Sequence, residues 1–156
     1  MDLVKYLIDK VSKLLQVISK EVERRYPRHP YKTIAITHAN RDHSCWWHLG
    51  SMGGKDVMQV VGEFLITNIT SSENVRLSGA LINKQKKKKG VVLILGAQGI
   101  SSFDYIIAPH AVTEITVTFW VQPIVQNAGD SYVDDIAIVD NFGNEHWLNK
   151  CEFIYS

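Results

Sequence analysis

Cysteine is scarce in this chain, with two in 156 residues, Cys45 and Cys151, too few for a disulfide-stapled scaffold. Long apolar runs are missing as well. Nothing approaches the roughly 18–20 uninterrupted apolar residues that a membrane span needs. Near the start, Lys5, Asp9, Lys10 and Lys13 interrupt what would have to be the apolar region of a signal peptide. The expectation is a chain that is not exported, and hence cytoplasmic, with both thiols reduced and buried on strands. Catalytic signatures are missing too. There is no nucleophile elbow, phosphate loop or zinc-protease helix, and no Cys-x-x-Cys or His-x-x-x-His pair. The expectation is therefore a non-catalytic protein with no cofactor.

Net charge is small, +1 from seventeen basic and sixteen acidic residues, which argues against a bulk nucleic-acid binder. The signs are nevertheless segregated. Residues 1–32 and residues 33–90 each carry eight bases and four acids, whereas residues 91–156 carry one base, Lys150, against eight acids. A basic beginning and an acidic end attract each other, within one molecule or between two. That polarity favours self-complementary association over binding to a uniform polyanion. The 46% hydrophobic content excludes disorder and provides for one domain with a real core.

What is present falls into two periodicities. Leu3, Val4, Leu7, Ile8, Val11, Leu14, Leu15, Ile18 and Val22 recur at steps of three and four, which predicts an amphipathic helix over residues 2–26. Asp2 helps to start it, and Pro27 and Pro30 stop it. Val4, Leu7, Val11, Leu14 and Ile18 also fit an alternating heptad seam, which Ile8, Leu15 and Val22 widen and Glu21 ends. Three readings compete: packing on its own domain, pairing with another chain, or lying on a membrane surface as a peripheral contact. Against the last stands the absence of a Trp or Phe anchor in the stripe.

After Pro30 the period changes to two, and the rest reads as strands. The expected segments are 31–37, 44–49, 57–69, 75–82, 91–95, 103–107, 112–121, 132–139 and 145–155. Alternation is clearest through Ile115, Val117, Phe119 and Val121, and through Trp147, Cys151, Phe153 and Tyr155. Turn chemistry separates them, as in Gly50-Ser51-Met52-Gly53-Gly54 and Asp140-Asn141-Phe142-Gly143-Asn144. About eight or nine short strands without intervening helices predict a mainly β protein, an antiparallel β-sandwich. The expected organisation is a helix and Pro-containing linker over 1–30, then a β-sandwich domain over 31–156. The stretches Ile107-Ala108-Pro109, Val117-Thr118-Phe119 and Asp134 to Asn144 resemble the closing strands of small immunoglobulin-like or arrestin-like sandwich modules. The resemblance implies an immunoglobulin-like fold and carries over no functional residue.

Candidate surfaces follow from these elements. The helix stripe, represented by Leu3, Leu7, Val11, Leu14 and Ile18, and the adjacent Trp46 and Trp47 are the expected partner-binding residues. In a strand one tryptophan faces the core and the other faces away, either covered by another element such as the helix or exposed for binding. The partner is a protein or a second copy of the chain. A second reading uses Lys84, Lys86, Lys87, Lys88 and Lys89, five lysines in six residues, as a loop that touches anionic lipid or nucleic acid. A third places a metal- or thiol-dependent site in His38–His48, where three histidines, Asp42 and Cys45 lie within eleven residues. There Cys45 and His48 form the candidate thiol–imidazole pair, weakened by their opposed directions on a strand. Calcium binding by Asp130, Asp134, Asp135, Asp140 and Glu145 fails on spacing, and Asp140 to Asn144 reads as a tight turn.

Overall fold

The computed structural model describes residues 2–25, 32–39, 42–83, 86–96 and 100–156. The chain divides into two units, Met1–Tyr31 and Lys32–Ser156. The first contains one helix, α1 (Leu3–Arg25), about 34 Å long at 1.5 Å per residue. Asp2 caps it. Its Oδ1 accepts the Val4 N–H at 3.1 Å and its carbonyl accepts the Tyr6 N–H at 3.1 Å, satisfying donors that a helix start otherwise leaves open. No helix among the described residues is long and apolar enough to cross a membrane.

The second unit is all β: β1 (Ile34–His38), β2 (Cys45–Met52), β3 (Lys55–Asn68), β4 (Leu77–Ile82), β5 (Lys88–Ile94), β6 (Val112–Val121), β7 (Tyr132–Asp140) and β8 (Glu145–Tyr155). The open immunoglobulin-like sandwich expected from the strand count is not what forms. Seven strands pair in a closed ring, β2-β3-β6-β5-β4-β7-β8 and back to β2, with β1 as an extra strand on β3. Closure depends on strands that serve two neighbours. The fourteen-residue β3 pairs with β2 and β1 along one side and with β6 along the other. β5 pairs with β4 through Lys88–Gly90 and then with β6 through Val91–Ile94. The ring is completed by a short parallel contact, Trp46 with Ile154 and Trp47 with Tyr155. Inward–outward alternation is the same in a sandwich and a barrel, so the sequence pattern does not distinguish them.

Two local expectations also change. Phe103–Ile107 is not a strand; Ile107 makes an isolated bridge to Val75. On β8, Trp147 lies opposite Ala137 but Cys151 lies opposite Asp134. The extra residue is taken up around Lys150, which has φ 55° and donates its N–H to Asp135 Oδ1 at 2.8 Å. This bulge turns Trp147 to the outer face while Cys151 and Phe153 point inward. The core is built from Trp47, Phe64, Phe119 and Phe153 with Ile34, Met58, Ile66, Ile82, Ile115 and Ile136, all essentially inaccessible. Every fully buried side chain among the described residues belongs to the second unit.

Candidate functional site

On α1 the apolar stripe is solvent-facing. Leu3 is 69% exposed, and Val4, Leu7, Ile8, Val11, Leu14, Leu15, Val17 and Ile18 are all at least half exposed. All of these but Val17 belong to the predicted stripe, whose last member, Val22, has its side chain outside the described residues; the eight together make a patch far beyond the isolated exposed residues of an ordinary surface. The five helix residues expected to bind a partner, Leu3, Leu7, Val11, Leu14 and Ile18, therefore share one accessible face.

The tryptophan pair separates as alternation requires. Trp47 is wholly buried, its Nε1–H donating to the Asp130 carbonyl at 2.9 Å and its ring packing edge-on against Tyr155 with centroids 4.8 Å apart. Trp46 is half-buried on the outer face, opposite Val61 and Ile154. With His43, Ile154, Tyr155 and Ser156 it lines a surface groove of about 380 Å³ over the parallel joint.

The histidine-rich segment does not converge as one site. His48 faces outward and contacts Gln59 Oε1 at 2.8 Å, away from Cys45. Cys45 instead meets His38, whose Nδ1 lies 3.6 Å from the thiol and 3.2 Å from Ser44 Oγ. The reason is that β1 and β2 follow one another along the same side of β3, parted by a short excursion. Ala39 N–H donates to the Glu63 carbonyl at 3.0 Å, and Glu63 N–H donates to the Ser44 carbonyl at 2.8 Å. A single β3 residue thus clamps both ends of the excursion and brings His38 beside Cys45. Burial pushes the Cys45 thiol above its usual range; the Ser44 hydrogen bond opposes this and nearby Glu63 adds to it. Cys151 is pushed up to about 12, chiefly by burial and then by Cys45, Asp135 and Asp134. Both cysteines are free and buried. Neither environment favours the thiolate that nucleophilic chemistry needs. Among the described residues no group of three or more His, Cys, Asp or Glu is placed to hold a metal ion.

A second polar cluster, missed in the sequence, joins residues far apart in the chain. Asp140 is buried, and its Oδ2 accepts from Thr33 Oγ1 at 2.5 Å, His146 Nε2 at 2.9 Å and Asn144 Nδ2 at 2.9 Å. Its Oδ1 accepts the Phe142 and Asn144 N–H groups at 2.9 and 3.0 Å. Burial alone would raise the carboxyl pKa, but the hydrogen bonds from His146, Thr33 and Asn144 outweigh it and hold the group below its usual range. The arrangement has Thr, His and Asp within reach but not the order of a catalytic triad. Imidazole Nε2 gives its proton to the carboxylate, so it has no lone pair there to take the Thr33 proton. The cluster is a structural tie between the start of β1 and the β7–β8 hairpin.

The lysine run is only partly a loop, because Lys88 and Lys89 already belong to β5. Lys87 holds a positive φ of 46° and pairs with Glu145 at 2.9 Å. Lys86 and Lys88 line a small pocket with Asn83, Gln122 and Tyr132; Lys84 lies outside the described residues. No family model and no curated protein matches the chain.

Proposed function

We propose that this chain is a non-catalytic interaction module whose N-terminal helix self-associates, holding two copies of the barrel together. One observation carries the reading: eight residues of the apolar stripe of α1, Leu3 to Ile18, are exposed. Those side chains expose on the order of 800–900 Å² per helix, comparable with the roughly 800 Å² per partner of a stable protein interface. Covering about 500 Å² of it is worth on the order of 12 kcal/mol before the costs of association are subtracted.

The seam chemistry supports a second copy as the occupant. Val4, Val11 and Ile18 alternate with Leu7 and Leu14, and β-branched residues at one seam position with leucine at the other favour parallel two-stranded pairing. The test is the solution mass of the full chain beside the double variant Leu7→Asp/Leu14→Asp. The expected result is a dimer that becomes a folded monomer in the variant. A wild-type monomer at all concentrations overturns the reading, and so does a variant that associates as tightly as the wild type.

A further inference from the structure

The lysine run divides by direction. At the start of β5, Lys88 lies opposite Ile82 and Lys89 lies opposite Leu81. Directly paired residues of an antiparallel ladder share a face, and Ile82 is wholly buried. Lys88 therefore points to the inside of the barrel and Lys89 to the outside. Gly90, two residues on from Lys88, lies on the same inner row, where a Cβ would strike the Phe119 ring. Lys88 is thus a partly buried cation at the mouth of an apolar barrel, in a pocket shared with Val121 and Tyr132, which pack against the core.

The preceding turn brings Lys86 to the same place. Asn83 at φ 60° and Lys87 at φ 46° reverse the chain. The Asn83 carbonyl accepts the Lys86 and Lys87 N–H groups at 3.0 and 2.6 Å, and its own N–H donates to the Asp135 carbonyl on β7 at 3.0 Å. Lys86 and Lys88 consequently line one pocket of about 60 Å³ with Gln122, between apolar walls from Val121, Pro123 and Val125. Two ammonium groups in such a setting repel each other and lose water, a cost that an anion between them offsets. Among the described residues neither has an acidic partner, whereas Lys87 has Glu145. The Asp134 carboxylate is taken up by the Tyr132 hydroxyl and the Asp135 N–H.

We propose that this pocket binds a single phosphate group between Lys86 and Lys88. Its size argues for that ligand. Space on the scale of a few water molecules admits one tetrahedral oxyanion and is too small for a nucleobase or an acyl chain. The donors argue for it as well. Lysine ammonium groups bind phosphate as point charges, and the Gln122 side-chain amide supplies a neutral donor beside them. Apolar walls lower the local dielectric and strengthen each of these attractions. Every residue involved belongs to the second unit, so the site is independent of helix association. The same chemistry is presented by free phosphate and by the exposed monoester of a lipid such as phosphatidic acid.

The experiment titrates the full chain with inorganic phosphate at constant ionic strength, balanced with chloride, and follows amide NMR shifts. Four forms are compared: wild type, Lys86→Met, Lys88→Met and Lys89→Met. Each variant removes one charge from the run and keeps an apolar stem, and Lys89→Met does so on the outer face alone. The expected result is saturable shifts centred on Lys86, Lys88 and Gln122. Affinity should fall at least about tenfold in Lys86→Met and Lys88→Met and change less than about twofold in Lys89→Met. Shifts that do not saturate, or that chloride alone reproduces, overturn the site. Equal losses in Lys88→Met and Lys89→Met overturn it too, because the run then acts as a diffuse field. Phosphatidylcholine vesicles with and without phosphatidic acid separate the two sources. Vesicle binding that phosphate displaces and Lys88→Met abolishes assigns the group to a lipid; saturable phosphate binding without it assigns free phosphate.

Discussion

Helix and barrel use apolar residues in opposite ways. In the barrel, alternation sends Trp47, Phe64, Phe119 and Phe153 inside, where nothing of them remains accessible. In α1 the 3.6-residue period collects an equally continuous face of leucine, isoleucine and valine, and that face remains at the surface. The difference teaches where each element's stability lies. Barrel residues contribute to the fold of one chain, and helix residues contribute when something covers them.

The comparison breaks first at the core. Trp47→Ala removes a fully buried ring and its hydrogen bond to Asp130, at an expected cost of about 3–5 kcal/mol in denaturant unfolding. Leu14→Ala, made as its counterpart on the helix, should shift the barrel's unfolding midpoint negligibly and weaken association instead. An equal effect of the two on unfolding would erase the distinction.

Next is the buried carboxylate. Asp140→Ala strands the donors of Thr33, His146 and Asn144, with an expected loss of about 3 kcal/mol. Because the folded-state pKa is lowered, this contribution is full above the unfolded carboxyl value of about 4 and is lost as pH falls through the folded value. Acid titration of wild type and variant should therefore converge at low pH.

A smaller effect is expected at Gly90, where a Cβ would lie 2.3 Å from Phe119 Cδ1 and 2.8 Å from the Thr118 carbonyl oxygen. Gly90→Ala should cost about 1–3 kcal/mol through overpacking, read as a lower melting temperature. The smallest is Lys87→Ala. It breaks an exposed pair with Glu145 and should change unfolding by less than about 1 kcal/mol.

Much of this division was legible from periodicity. The helix, most strand positions and the split of the tryptophan pair between two faces follow from steps of 3.6 and 2; which tryptophan turns inward does not. Barrel closure was not, because partner exchange by β3 and β5 leaves no mark on alternation. The face of Trp147 was misread for a related reason: one extra residue near Lys150 inverts the pattern without changing composition. The Asp140 cluster was half legible. The Asp140–Asn144 turn is written locally, but Thr33 lies 107 residues from Asp140 and nothing in its surroundings signals the contact. The proximity of His38 to Cys45 depends on the clamp at Glu63, a residue on another strand.

That clamp has a consequence for how the chain can vary. The ends of the excursion, Ala39 and Ser44, are both fastened to Glu63, so β1 and β2 keep their registers whatever is written between the two fastenings. Register here is set by Glu63 and not by the length of chain between its two partners, so a change in that length should leave both strand pairings intact.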